Sequence, residues 1–363
     1  MNKLFEPIKI GKHHLQHRVV LPPLTRVRAS PGAIPNELMV EYYKQRASNG
    51  GLLITEATAI DRLVGGYPGA PGIYSKEHID GWKKVTEAVH QKSGIIFLQL
   101  WHLGRTSYAK LNPNNEPVVS ASAIAIKGIG MLGEPYEIPR ALEVEEIKEI
   151  VQKYKQAAKN AIEAGFDGVE IHGATGYLLD QFINSNSNQR TDEYGGSVEN
   201  RARFPLEVVD VVVDAVGADR TAIRFSPGSL FHDMADENPI ETWGYLTRSL
   251  QEKHSQLAYL HFIEPRSDMA SGVSKIDSLE HFRKLWKGPF ISAGGFSSSI
   301  ENAVKTAEET GNLIAFGRQF VSNPDLPERI KKGLPLNSYD RDTFYTNSAA
   351  GYTDYPFYEE ANR

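Results

Sequence analysis

Glu143-Val-Glu-Glu-Ile-Lys-Glu-Ile-Val151 opens a stretch that runs on to Gly165-Phe-Asp-Gly-Val-Glu-Ile-His172, and its two ends follow different rules. Val144, Ile147, Ile150 and Val151 fall on one stripe at the helical period, with charges elsewhere, so Val144–Ala164 is expected to be an amphipathic helix. Gly165 stands where a helix C-cap glycine belongs, and Asp167-Gly168 turns the chain into Gly168–Ile171. That run is short and rich in Val and Ile, as expected for a parallel strand buried on both faces.

The alternation repeats outward in both directions. Val19–Pro22, Gly51–Thr55, Ile95–Leu100, Gly168–Ile171, Thr221–Ser226, Ala258–Ile263, Pro289–Ala293 and Asn312–Phe316 read as buried strands. Helical segments such as Pro35–Ser48, Lys76–Lys92 and Ser197–Val216 lie between them. Eight alternations favour a (β/α)8 TIM barrel of the α/β class, preceded by an N-terminal hairpin, over an open doubly wound sheet. One segment, 102–142, breaks the rhythm: it is rich in Pro, Gly, Ser and Asn and has no periodic run. It is expected to form a lid or hairpin over the pocket after the third strand. Beyond Leu334 the chain is dense in aromatics (Tyr339, Phe344, Tyr345, Tyr352, Tyr355, Phe357, Tyr358) and reads as a docked strap. No linker, repeat or low-complexity tract divides the sequence, so 1–363 is expected to be one domain.

Composition excludes several function classes. The 363 residues carry 40 Lys+Arg against 45 Asp+Glu, a net charge of −5, which argues against nucleic acid as a partner. There is no cysteine, hence no disulfide, thiolate zinc site, iron–sulfur cluster or cysteine nucleophile. No apolar run approaches the ~18 residues of a membrane-spanning helix, and Met1–Arg18 lacks the apolar core of a signal peptide. A cytoplasmic monomer or homodimer is expected, with a small-molecule substrate, no membrane partner and no bound metal. His13, His14 and His17, beside Lys12 and Arg18, read as a solvated turn. Gly128-Ile-Gly-Met-Leu-Gly133 matches GxGxxG, but Pro135 and Pro139 stand where a nucleotide-binding helix should begin.

In a barrel, chemistry gathers at the C-terminal ends of strands. Thr25, Ala57, Gln99, His172, Arg224, Gly294 and Arg318 stand there. Ala293-Gly294-Gly295-Phe296-Ser297 and Gly317-Arg318 have the features of a phosphate grip: glycines admit backbone N–H groups to an anion, and an arginine can pair with it bidentately. His172, Thr175 and Tyr177 could aim imidazole, hydroxyl and phenol into one cavity. The first two can polarise a carbonyl oxygen, and the third can donate a proton.

Gly168–Phe182, followed by Arg190-Thr-Asp-Glu-Tyr-Gly-Gly-Ser-Val-Glu-Asn-Arg-Ala-Arg-Phe204, resembles the old yellow enzyme family of flavin-dependent ene-reductases. The resemblance extends through Leu4-Phe-Glu-Pro7, Pro23-Leu-Thr-Arg26, Gly65-Gly-Tyr-Pro-Gly-Ala-Pro-Gly-Ile-Tyr74 and Gln99-Leu-Trp-His-Leu-Gly-Arg105. It continues at Ile263-Glu-Pro-Arg266, Gly317-Arg-Gln-Phe-Val-Ser-Asn-Pro-Asp-Leu326, Asp342-Thr-Phe-Tyr345 and Gly351-Tyr-Thr-Asp-Tyr-Pro-Phe-Tyr-Glu-Glu360. It implies a bound FMN, NAD(P)H as hydride-donating co-substrate, and reduction of activated C=C bonds in unsaturated aldehydes, ketones, maleimides or nitro compounds by a ping-pong mechanism. Carried over by position, it places Pro23, Leu24, Thr25, Ala57, Gln99, His172, Arg224, Gly294, Gly295, Ala315, Phe316, Gly317 and Arg318 around the flavin. It assigns carbonyl binding to His172 and Thr175, proton donation to Tyr177, and the pocket walls to Tyr67, Trp101, Phe231, Phe296 and Tyr345.

Three departures stand out. Thr175 occupies a position that is normally Asn or His. Gly295 stands where Asn or Arg is frequent. Ala57 and Ala315 replace glycines, which is tolerable where φ is negative. Two rival readings remain at this level: a flavin-binding barrel whose catalysis Thr175 has weakened, and a phosphate-handling barrel lyase or isomerase.

Overall fold

The computed structural model describes residues 2–265 and 276–358. Arg266, Glu359 and Glu360 of the quoted motifs lie outside these residues.

A hairpin comes first: β1 (Ile8–Ile10) and β2 (His13–Leu15) pair antiparallel, with Ile8 opposite Leu15. Next come β3 (Val19–Leu21), β4 (Leu52–Ile54), the two-residue β5 (Thr58–Ala59) and β6 (Ile95–Trp101). β7 (Val119–Ser120) and β8 (Arg140–Ala141) belong to the insertion. They are followed by β9 (Gly168–Gly173), β10 (Thr221–Phe225), β11 (Tyr259–Ile263), β12 (Phe290–Ala293) and β13 (Leu313–Ala315). Pairing runs β4-β3-β13-β12-β11-β10-β9-β6 in parallel, and β6 pairs back onto β4 to close an eight-stranded barrel. The helices outside it are α1 (Glu37–Arg46), α2 (Lys76–His90), α3 (Val144–Glu163), α4 (Leu178–Ile183), α5 (Val198–Val216) and α6 (Pro239–Lys253), then α7 (Glu280–Leu285), α8 (Ile300–Thr310), α9 (Gly317–Ser322) and α10 (Leu326–Lys332).

The barrel interior is a separate apolar cluster that includes Val20, Ile54, Phe97, Ala222, Tyr259, Ile291 and Leu313. Ile10 and Leu15 join it, so the hairpin plugs the end of the barrel at which β3 begins. The face of α3 that carries Ile147, Ile150, Val151 and Tyr154 is buried. That helix ends as its sequence requires. The Gly165 N–H bonds Ile162 O at 3.0 Å and the Phe166 N–H bonds Ala161 O at 3.1 Å, a Schellman closure. Gly165 has φ +89°, and a Cβ there would lie 2.7 Å from Thr86 Oγ1, so glycine serves both the turn and the packing on α2. α1 starts later than its periodicity suggests because Asn36 caps it, its side chain accepting from the Met39 N–H at 3.3 Å.

Two expectations need correction. β7 and β8 run parallel, so the insertion is not a simple hairpin; only its tip folds back, where Ile129 bridges Pro135 antiparallel. The glycines of the apparent GxGxxG serve that tip, with Gly128 at φ +116° and Gly133 at φ +75°. The three clustered histidines are not a solvated turn. His13 and His14 lie in β2, and His17 is buried, with Nε2 3.0 Å from Ser48 Oγ.

The C-terminal strap is docked as expected. Tyr352 is fully buried and stacks on Tyr42 at 4.2 Å and 3°. Among the described residues, no helix is long and apolar enough to cross a membrane.

Candidate active site

A cavity of about 840 Å³ opens at the C-terminal mouth of the barrel. Pro23, Leu24 and Thr25 line it beyond β3, and Thr175 and Tyr177 beyond β9. Arg224 reaches it from β10, Phe231 from the loop that follows, Gly294, Gly295 and Phe296 from beyond β12, and Ala315, Gly317 and Arg318 from the β13–α9 junction. Tyr67 and Tyr345 also face it. Ala57, Gln99, Trp101, His172 and Phe316 do not form its wall; they are buried behind it. Trp101 packs against Tyr67 at 5.7 Å and edge-on to Tyr177 at 5.2 Å, so it backs the wall instead of forming it. Phe316 is the N-cap of α9, and its N–H is spent on Val20 O at 3.1 Å.

His172 lies one layer below the cavity, its ring 4.8 Å from that of Tyr177 at 71°. Its Nδ1 accepts from the Ala174 N–H at 3.3 Å, which leaves the proton of the neutral ring on Nε2. Burial, then Arg224, His261 and His232, hold the imidazole well below its ordinary pKa, so it acts as a neutral N–H donor. Burial, with Tyr67, Tyr136 and Tyr345 nearby, pushes the Tyr177 phenol well above its ordinary value, so it keeps its proton.

The turn that presents Thr175 and Tyr177 is held at every backbone polar group of Thr175 and Gly176. The Thr175 N–H donates to Ser226 Oγ at 2.7 Å, and Thr175 O accepts from His232 Nδ1 at 2.8 Å. The Gly176 N–H donates to Asp180 Oδ2 and Gly176 O accepts from Gln181 Nε2, both at 2.8 Å. Gln181 also takes hydrogen bonds from Ser120 Oγ and the Arg105 N–H, so the insertion and this turn share one anchor.

Thr175 has φ +54°, a left-handed conformation that suits a β-branched residue poorly. Asn and His tolerate it better. Thr175→Asn is therefore expected to stabilise the fold by about 1 kcal/mol, the low end of the strain range for non-glycine residues there. Urea unfolding checks this, and a destabilised Asn variant would show that the clamps have already absorbed the strain. Ala57 and Ala315 are absent from the positive-φ residues, so alanine at either position is unstrained.

On the opposite side, Gly294 has φ +99° and Gly295 φ +84°, and a Cβ on Gly295 would meet nothing within 4 Å. The glycine pair therefore borders open space. Arg318 faces the same space, with Nη1 donating to Tyr339 OH at 3.2 Å. Arg224 is the barrel's cation at the floor, and its Nε has no hydrogen-bond partner among the described residues.

Sequence reasoning missed several lining groups. Ile126, Lys127, Ile129, Met131 and Tyr136 come from the insertion, where no periodicity marks which residues turn inward. Arg341 and Phe344 come from the strap. His232, beside the anticipated Phe231, packs on Tyr177 at 5.4 Å. Its ring is pushed down to about 4 by burial, with the Thr175 carbonyl opposing and Arg105 adding to the shift.

The comparisons with known proteins agree with this architecture. Residues 3–337 match the model of the NADH:flavin oxidoreductase / NADH oxidase family. The chain is 49% identical over 361 residues to putative 12-oxophytodienoate reductase 2 of Oryza sativa subsp. japonica, covering 98% of this chain and 94% of that protein. It is 48% identical over 383 residues to flavin oxidoreductase hxnT of Emericella nidulans, covering 98% of each. Among solved structures, the old yellow enzyme homologue of Zymomonas mobilis superposes with a TM-score of 0.91 at 39% identity, over 97% of this chain and 99% of that one. Morphinone reductase gives 0.92 at 42% identity, over 100% and 98%. With a closed barrel, a glycine–arginine cradle at its mouth and matches along nearly its whole length, the chain belongs to the old yellow enzyme family of FMN-binding, NAD(P)H-dependent oxidoreductases.

Proposed function

We propose that this enzyme reduces activated C=C bonds of α,β-unsaturated aldehydes, ketones, maleimides or nitro compounds by a ping-pong mechanism, acting as a single domain with 102–142 as its lid. One observation carries the reading: a protonated phenol, Tyr177, lines a cavity whose far side is the glycine–arginine cradle and packs on a neutral imidazole, His172, buried behind it. The names of two relatives, a 12-oxophytodienoate reductase and a morphinone reductase, support it.

The residues fit FMN. The open space at Gly295 suits a phosphate beside Arg318, and the unpartnered Nε of Arg224 suits an electron-rich ring edge. Thr25, Ala57 and Gln99 would hold the ring, with Pro23, Leu24, Ala315, Phe316 and Gly317 shaping its surroundings. When bound, FMN supplies a two-electron carrier that serves NAD(P)H and the alkene in turn. The protein's own part is to bind and to place protons. His172 Nε2–H, with the Thr175 hydroxyl, would hold the substrate oxygen and draw charge from the β-carbon, and Tyr177 would deliver the proton to the α-carbon. Family membership removes the lyase reading. The weakened-catalysis reading is decided by Thr175→Asn, which should raise kcat/KM on a small enone more than on a maleimide. Equal or lower small-enone activity would refute the lost donor.

Initial rates measured over a grid of NADPH and 2-cyclohexenone concentrations should give parallel double-reciprocal lines; converging lines would contradict alternating occupancy of one site.

The two arginines should fail differently. Arg318→Ala should weaken FMN binding by roughly 10–100-fold, since a charged hydrogen bond contributes about 1.5–3 kcal/mol, while riboflavin binding changes little. Arg224→Ala should lower the potential of bound flavin, because it removes the positive charge that favours the electron-rich state. Flavin loss alone in both variants, at unmoved potentials, would refute this division.

A further inference from the structure

The upper barrel interior holds a charged group that the reading above leaves unused. Glu170, in the middle of β9, is fully buried and stands in register between Gln99 of β6 and Ala222 of β10. Its Oε1 accepts from Gln99 Nε2 at 2.8 Å, and its Oε2 lies 2.8 Å from His261 Nδ1. His261, also fully buried, stands opposite Arg224 in the pairing of β10 with β11. Arg224 is in turn opposite His172, two residues above Glu170 on β9. One carboxylate thus joins the amide of Gln99, buried behind the cavity, and neighbours Arg224, the cation that lines its floor.

A structural role alone explains this poorly. Desolvating a carboxylate opposes folding, and apolar side chains of the same volume would fill the barrel at least as well. Burial alone would raise the Glu170 carboxyl, but His261, Arg224 and Gln99 outweigh it and hold it below the ordinary carboxylate value, so the group is anionic. Two consequences follow. A carboxylate only accepts, so Gln99 must turn its NH₂ toward Glu170, leaving its carbonyl oxygen and second N–H for a ligand. The negative charge also offsets part of the field of Arg224, the cation that lines the cavity.

We propose that Glu170, braced by His261, is a positioning residue of the flavin site: it fixes the amide orientation of Gln99 and tempers the positive charge that Arg224 presents to the flavin ring. This rests on the reading that Gln99 and Arg224 serve the flavin.

The test is the reduction potential and the FMN dissociation constant of the holoenzyme in Glu170→Gln, with Arg224→Gln measured alongside. Glu170→Gln removes the charge at constant size. It should shift the bound flavin's equilibrium about tenfold toward the reduced form, ~30 mV for a two-electron couple, and weaken FMN binding. Arg224→Gln should shift it the other way. If Arg224→Gln lowers the potential while Glu170→Gln matches wild type in both quantities, the proposal is overturned and the underlying reading stands. If neither variant moves either quantity, the underlying reading fails and takes the proposal with it. Should Glu170→Gln yield no folded protein, the His261 pair decides. His261→Asn keeps a donor where Nδ1 lies, and His261→Leu does not. A loss of FMN affinity of about tenfold in Leu that Asn restores supports the proposal. Equal affinity in the two variants overturns it.

Discussion

Tyr177→Phe is expected to leave flavin reduction by NADPH at the wild-type rate and to slow reoxidation by an enone by roughly 10²–10⁴-fold, the usual contribution of a positioned general acid. Phenylalanine should hold the tyrosine's place, because the ring is fixed from three sides. Trp101 meets it at 5.2 Å and 87°, His172 at 4.8 Å and 71°, and His232 at 5.4 Å and 68°. The only group lost is the hydroxyl. Since its pKa stands well above the ordinary tyrosine value, ionisation of Tyr177 should leave no limb in the rate profile at neutral or moderately alkaline pH. Rapid-mixing measurement of the two half-reactions separates the effects, and wild-type reoxidation in the variant would remove the phenol from the mechanism. Nitroalkenes are the poorer probe, because their products can take a proton from water.

Arg28→Ala should destabilise the protein by roughly 3–5 kcal/mol, because it removes several hydrogen bonds to a charged group, each contributing about 1.5–3 kcal/mol. The guanidinium of Arg28 is the anchor of the strap. It donates to Arg26 O, Phe344 O and Thr343 O at 2.7 Å, to Thr346 Oγ1 at 2.8 Å, and to Ser348 O and Ala350 O at 3.1 and 3.2 Å. It also sits over the Tyr352 ring at 4.6 Å. Alanine would take the side-chain donor from Arg26 O, Ser348 O and Ala350 O and leave Phe344 O with Arg26 Nε and Thr343 O with Thr346 Oγ1, so the strap would loosen toward water. Because Phe344 and Tyr345 line the cavity, KM should rise along with sensitivity to proteolysis between Tyr339 and Tyr355. Arg28→Lys should rescue little, since an ammonium has three donors and no planar fork. Unfolding and limited proteolysis check this, and wild-type stability with an intact strap would contradict it.

The barrel was legible because each strand is a short Val/Ile/Leu/Phe run followed by an amphipathic stretch, and the eight barrel strands differ from expectation only at their ends. α4 and α9 escaped because single-turn helices carry too few residues to show a period. The site was legible in part. Reading outward from strand ends locates Thr25, Thr175, Tyr177, Gly294 and Arg318 on the cavity. The same rule takes Gln99 and His172 to the cavity surface, whereas β6 runs on to Trp101 and β9 to Gly173 and both residues are buried behind the lining. The left-handed backbone of Thr175 has no sequence mark, since threonine is not the residue that conformation selects. Glu170 and His261 did leave a mark: each is a polar residue in mid-run of an otherwise apolar strand, and a barrel interior admits such residues only in pairs.

The most direct test of the account is anaerobic and sequential. The purified holoenzyme is reduced with one equivalent of NADPH, the nicotinamide is removed, and 2-cyclohexenone is added while the flavin spectrum is followed. The account predicts that NADPH bleaches the yellow band and that the enone restores it in full, with one equivalent of cyclohexanone formed. A flavin that bleaches but stays reduced until oxygen is admitted would contradict it.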